Sequence, residues 1–175
     1  MVGFNYLLPA LIFNLKIWNT NIIGPLEEGV TAFNGQSRGT VTSVHGYNTT
    51  VNGTVIHMDD FFSLYPDNKT YAISPRGLFV TEDGVKIGVE ASGYFDNIPH
   101  VQAIFNKEPG VNGTDFGEIP SGSVWTFKTG HPKYKDLGES MFVGNFRLFP
   151  GDADNSSFFN VEYRLAKILP GPPCK

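Results

Sequence analysis

The chain of 175 residues is 41% hydrophobic and 17% charged, with a formal net charge of −4; this fits one globular domain with enough chain for a sizeable core. The weak negative charge leaves no basic footprint for nucleic acid, and no apolar run approaches the ~18 residues of a membrane-spanning helix, so neither partner is expected. Aromatic residues make up 14%, fifteen of them Phe, which predicts a large aromatic surface in a core or around a pocket.

Along the chain, period-2 alternation between turn signals recurs and helical periodicity is nearly absent. Leu11, Phe13, Leu15 and Ile17 share one face of a strand over 11–18, with Asn14 and Lys16 on the other. A β-branched, polar segment at 38–44 precedes a turn, then a strand over 53–60 in which Ile56, Met58 and Asp60 share a face. Pro66-Asp67-Asn68 turns the chain into 70–80. Asp83-Gly84 is a strong hairpin signal, leading into 85–94, where Val85, Ile87, Val89 and Ala91 alternate with Lys86, Gly88, Glu90 and Ser92. Val101, Ile104 and Phe105 form a short helical stripe within 99–107. After a Gly/Pro/Asn loop, strands are predicted over 123–129, 139–149 and 158–169.

Seven or eight strands with one short helix predict an all-β antiparallel sandwich or barrel. No repeat or shift of composition divides residues 1–175, so a single domain is expected, with its core at about 10–169 and a Pro-rich tail at 170–175. Cys174, in that tail, is the one cysteine and can form no internal disulfide.

Asn-X-Ser/Thr occurs at Asn48, Asn52, Asn68, Asn112 and Asn155, where composition alone predicts roughly two such sites. All five stand in stretches that read as surface turns, so secretion and N-glycosylation are expected. The first residues, Met-Val-Gly-Phe-Asn, have neither a basic start nor a small-residue cleavage site, so the secretion signal is expected to lie outside this sequence.

Three stretches together point to a family. They are His57-Met58-Asp59-Asp60-Phe61 through Pro66-Asp67; Gly77-Leu78-Phe79-Val80-Thr81-Glu82-Asp83-Gly84 followed by a strand and Gly93-Tyr94; and Trp125 through Tyr134, continuing through Leu137 to Gly144 and closing with Val161-Glu162-Tyr163-Arg164. In order and spacing the chain resembles the domain-of-unknown-function 3237 family, also called UPF0311, over about residues 10–169. The resemblance implies a closed antiparallel β-barrel of lipocalin-like proportions and implies no activity. The sequons and Asn/Gly insertions depart from the bacterial pattern and resemble a secreted fungal branch, linking the chain to hetero-Diels–Alderases of tropolone–sesquiterpenoid biosynthesis.

For chemistry, the sequence has no Gly-rich phosphate loop, no Gly-X-Ser-X-Gly elbow and no His-Glu-X-X-His helix. His57 and Asp59 share strand parity, a pair better read as a solvated face than as two metal ligands; no metal site is predicted. Charges such as Glu90, Arg147, Glu162 and Arg164 lie opposite the apolar register and belong outside. The inward register supplies Phe13, Met58, Trp125, Phe127, Phe142 and Phe146 as candidate substrate-binding residues, which either fill a small barrel or line one apolar cavity. Against them three polar groups stand out as candidate catalysts. Asp60 shares the apolar face, where burial raises its pKa or demands a cation; Arg76 is the nearest candidate cation; Tyr163 brings a hydroxyl into an apolar row.

The favoured function is a cofactor-independent cyclase or pericyclase of secondary metabolism acting on an apolar polyketide or terpenoid. A cycloaddition needs two π-systems held in near-attack geometry and a donor on the diene carbonyl. The alternatives are a non-catalytic carrier of the same ligands, and a solid barrel with a structural role. The Trp18 face and the apolar segment 4–11 are expected to cover a barrel edge or meet another subunit, so a homo-oligomer is left open.

Overall fold

A computed structural model describes residues 3–172; Cys174 and the end of the Pro-rich tail lie outside the described residues. Nine strands, two short helices and their loops follow in the order β1 (Tyr6–Pro25), β2 (Thr31–Ser43), β3 (Asn52–Leu64), β4 (Thr70–Ile73), β5 (Pro75–Thr81), β6 (Lys86–Asp96), α1 (Pro99–Phe105), β7 (Ser121–Lys128), α2 (Lys135–Gly138), β8 (Phe142–Pro150) and β9 (Phe159–Leu169). Every pairing is antiparallel, and the ladder runs from β1 through β2, β3, β4 with β5, β6, β7, β8 and β9 back to β1. The sheet thus closes on itself as a barrel, which pairs the edges an open sheet would leave exposed.

β4 and β5 both lie between β3 and β6 and act as one wall strand broken at Ser74. Pro75 opens β5 and carries no N–H for the ladder, which accounts for the break. A second irregularity lies on β3. Its register with β5 shifts between Val55 and His57, and that bulge reverses the side-chain parity. Gly53 and Val55 point inward before it, Met58 and Phe62 after it. Ile56 is therefore exposed, contrary to the uninterrupted alternation read from the sequence.

Other differences also have local causes. β1 runs on to Pro25, well past the predicted end at 18, because it stays paired with β2 as a ribbon. A register shift between Ile17 and Asn19 erases the apolar alternation there. Residues 135–138, ahead of β8, coil as α2 around buried Leu137. The segment 4–11 covers no edge: from Tyr6 onward it is wall, paired with β9 from Leu169 to Ala166 and then onward, with Phe4, Tyr6 and Leu7 exposed. Trp18 lies outside under the guanidinium of Arg38, 5.2 Å from its ring centre.

The interior has two levels. At the closed end, Phe13, Phe79, Trp125, Phe127 and Phe142 pack in mutual edge-to-face and stacked contacts with ring centres 5.2–6.3 Å apart. Such pairs add about 0.5–1.5 kcal/mol each beyond area burial. Trp125 Nε1 donates to Ser123 Oγ at 2.8 Å, and that hydroxyl donates to the Gly144 carbonyl. The indole is thus buried without an unmet donor. Asp83 pins the end shut, accepting from Thr81, Lys133 and Tyr134. The other level is not filled, and the candidate site lies there.

Candidate functional site: an apolar cavity around Asp60

The open level holds a cavity of about 60 Å³ that opens to solvent. The enclosed part is therefore slender, less than half the roughly 150 Å³ of a protein cavity that takes up benzene, so a ring seated there extends into the mouth. Its wall is almost wholly apolar, with Ile17, Phe62, Phe95, Phe105, Phe146 and Phe159 among the lining residues. Ser37, Asp60 and Tyr163 contribute the polar side chains.

Asp60 enters the cavity because the β3 bulge turns Met58, Asp60 and Phe62 inward. In register it stands between Gly35 of β2 and Pro75 of β5. The break beside Pro75 frees the N–H of Ser74 from the ladder, and it donates to Asp60 Oδ1 at 2.7 Å. The same interruption that splits the wall strand thus fixes the carboxyl's orientation. Among the described residues no second donor reaches that carboxyl, and no Lys, Arg or His lines the cavity. Burial raises its pKa to about 7, against the opposing pull of the Ser74 N–H. Asp60 therefore switches between acid and carboxylate near neutrality, in the range where a general acid–base works best.

Tyr163 comes from β9, its ring 4.9 Å from Trp125 and 5.2 Å from Phe146. Burial, and then the charge of nearby Asp60, push its hydroxyl well above the ordinary phenol range, so it stays protonated and acts as a donor. Ser37 donates to the Met58 carbonyl at 2.8 Å, which leaves its oxygen only as an acceptor. The cavity thus offers one titratable acid and one permanent donor in a water-poor setting, where each interaction is strengthened. Among the described residues no three His, Cys, Asp or Glu side chains gather in a group that could hold a metal ion.

The predicted residues divide between levels. Asp60, Tyr163, Met58 and Phe146 meet at the cavity. Phe13, Trp125, Phe127 and Phe142 do not line it; they are the packed floor, each at most 3% exposed. Arg76 is corrected outright. It is exposed and lies opposite Asp59 and Glu90, on the outer face, because it neighbours inward Pro75 in an alternating strand. Glu162 lies on the outer face but is buried there, not solvated, between Arg147 and Arg164. Phe62 and Phe95 were reachable by alternation; Phe105 was not, since it arrives on α1 and packs on Phe159 at 4.8 Å.

The family model for a protein of unknown function, DUF3237, matches residues 6–168. The chain belongs to the DUF3237 family. Solved structures share its fold at low identity. A conserved protein of unknown function from Rhodopseudomonas palustris superposes with a TM-score of 0.75 at 17% identity, covering 96% of this chain and all of that one. A beta-barrel like protein from Acinetobacter baumannii gives 0.69 at 16%, covering 97% and 99%. An enzyme from Penicillium herquei gives 0.58 at 18%, covering 92% and 94%. No curated protein matches the sequence. In this DUF3237 barrel all five sequon asparagines are exposed, Asn52 within β3 and Asn48, Asn68, Asn112 and Asn155 in turns or loops.

Proposed function

We propose that the chain is a cofactor-independent enzyme that cyclises an oxygenated, largely apolar substrate. Asp60 acts as acid–base and Tyr163 as hydrogen-bond donor. The observation that carries this reading is a carboxyl inside an apolar cavity, with a single backbone donor and no counter-ion. A structural acid would be paired or turned to water. The fold likeness to an enzyme from Penicillium herquei supports the same side.

In a hetero-Diels–Alder addition three π bonds become two σ bonds and one π bond, with no atom lost. The protein need only hold the partners together and donate to the carbonyl whose charge grows. Tyr163 meets the second need, and protonated Asp60 meets it too, or protonates a leaving hydroxyl that departs as water while the resulting carboxylate takes the phenol proton, unveiling the diene. One ring of a polyketide or terpenoid seats across the cavity and its mouth, with the remainder along Phe105 and Phe159. The five exposed asparagines support passage through a secretory pathway. Asn52 fits least, since its side-chain nitrogen already donates to Glu82.

The test is turnover of hydroxybenzyl precursors of quinone methides, with an alkene partner, by protein secreted from a fungal host whose glycopeptides are mapped. Asp60→Asn should lower kcat by about 10²–10⁴-fold, and Tyr163→Phe by at least 10-fold. Binding without turnover in the unaltered protein would make it a carrier. Non-glycosylated asparagines throughout would remove the secretory part.

A further inference from the structure

Glycine occurs repeatedly in these strands, and for most of them a close backbone or side-chain neighbour supplies the reason. A Cβ added at Gly39 would lie 1.8 Å from the Asn14 carbonyl oxygen, at Gly77 2.4 Å from that of His57, and at Gly93 2.3 Å from that of Gly122. At Gly53 the Val80 carbonyl oxygen would be 2.9 Å away, and at Gly144 a Leu165 methyl 2.7 Å. Gly88 and Gly122 also have room, with no atom nearer than 3.4 Å to an added Cβ, but neither lines the cavity. Gly35 does: it is buried there, its φ lies outside the left-handed region, and the nearest atoms to an added Cβ would be those of Phe62 at 3.4 Å and Ile17 at 3.8 Å. These are ordinary van der Waals distances to two other lining side chains. Neither chain conformation nor close strand approach requires glycine there. What the missing side chain provides is space, at the cross-strand partner of Asp60.

We propose that Gly35 and Asp60 form the selecting end of the cavity: the bare backbone of Gly35 admits the face of one flat ring, the carboxyl of Asp60 reads an oxygen on that ring, and the site takes neutral oxygenated rings and rejects anions. This rests on the reading of the cavity as a ligand site and adds its substrate class. Three features combine. The lining is aromatic and apolar, so a flat ring loses little by leaving water. Asp60 and Tyr163 both present donors to an oxygen acceptor. An anion would be stripped of water with no Lys, Arg or His to replace it and with a carboxyl alongside, which is costly.

Three monocyclic probes of similar size separate these features: acetophenone, ethylbenzene without the oxygen, and benzoate with a charge. Titration at pH 5.5, followed by backbone amide shifts, should give saturable acetophenone binding centred on β2, β3 and β9. Ethylbenzene should bind at least fivefold more weakly and benzoate at least tenfold more weakly. Gly35→Val should weaken acetophenone at least tenfold while keeping a dispersed native spectrum, with Gly35→Ala between. Benzoate binding as tightly as acetophenone, no saturable acetophenone binding, or Gly35→Val binding like the unaltered protein would each overturn the proposal. So would wild-type acetophenone affinity in Gly35→Ala if Gly35→Val unfolds. The catalytic reading fails separately: selective binding with unchanged turnover in Asp60→Asn removes acid–base catalysis and leaves the selectivity standing.

Discussion

Asp60 has a consequence that needs no substrate. Its folded-state pKa of about 7 lies above the ordinary carboxyl value of 3.8, so proton binding favours the folded chain. Its contribution is fully present below about pH 4 and is lost as pH rises through about 7. Asp60→Asn keeps an oxygen for the Ser74 N–H and removes the charge. The variant should match the unaltered protein below pH 4 and become the more stable one by pH 8. One pKa unit corresponds to about 1.4 kcal/mol. Discounting for solvation through the mouth leaves a gap of about 2 kcal/mol, or about 4–8 °C for a chain of this length. Thermal melts from pH 3.5 to 8.5 check this; a gap that does not vary with pH would show the carboxyl to be fully hydrated. Asp60 and Tyr163 were legible in the sequence because a polar group in an apolar register is a conspicuous misfit. Arg76 was misplaced because Pro75 hid the parity of its strand, and hydropathy carries no signal for a break of one residue.

Among the elements, the β3 bulge does most to shape the site, and Gly77 keeps the bulged strand close to β5. A methyl group there would lie within 2.4–2.9 Å of three atoms of His57 and Met58, two of them backbone. Gly77→Ala must push β5 away from β3 or flatten the bulge, at a cost of about 1–3 kcal/mol. Because the bulge sets the inward turn of Met58 and Asp60, the variant should also disturb the cavity more than its stability loss implies. Urea unfolding with amide shift mapping tests both: an unchanged midpoint, or shifts absent from Asp60 and Ser74, would refute the coupling. Nothing in the residues warns of the bulge, since Ile56, Met58 and Asp60 read as continuous alternation. The helix α1 was legible as a stripe, but not its task. His100 on α1 joins Glu118 and the Asn112 carbonyl, holding the helix and its following loop over the end where Phe105 lines the cavity.

Across the whole barrel, strand contact is uneven. β1 and β2 share thirteen register pairs, whereas β7 and β8 share three: Ser123 with Gly144, Val124 with Val143, and Trp125 with Phe142. Beyond those pairs the two strands part, and the loop after α1 fills the gap. Thr114 N donates to the Leu148 carbonyl at 2.8 Å, and Leu148 N donates to Thr114 Oγ1 at 2.9 Å. One threonine, backbone and side chain together, thus replaces a missing stretch of ladder. Its neighbour is equally constrained, since a Cβ on Gly113 would lie 2.6 Å from Phe149. The Asn112-Gly113-Thr114 sequon therefore has a packing reason of its own, and a sequon count read from sequence overstates its weight as a modification signal. Thr114→Val would keep the shape and leave the buried Leu148 N–H without an acceptor, costing about 1–3 kcal/mol. The loss should be local before it is global. Native-state hydrogen exchange should show amides of β7 and β8 opening earlier in the variant, with those of β1 and β2 still exchanging last. Equal acceleration in all strands would mean that the barrel has no weak seam and that Thr114 contributes only to overall stability.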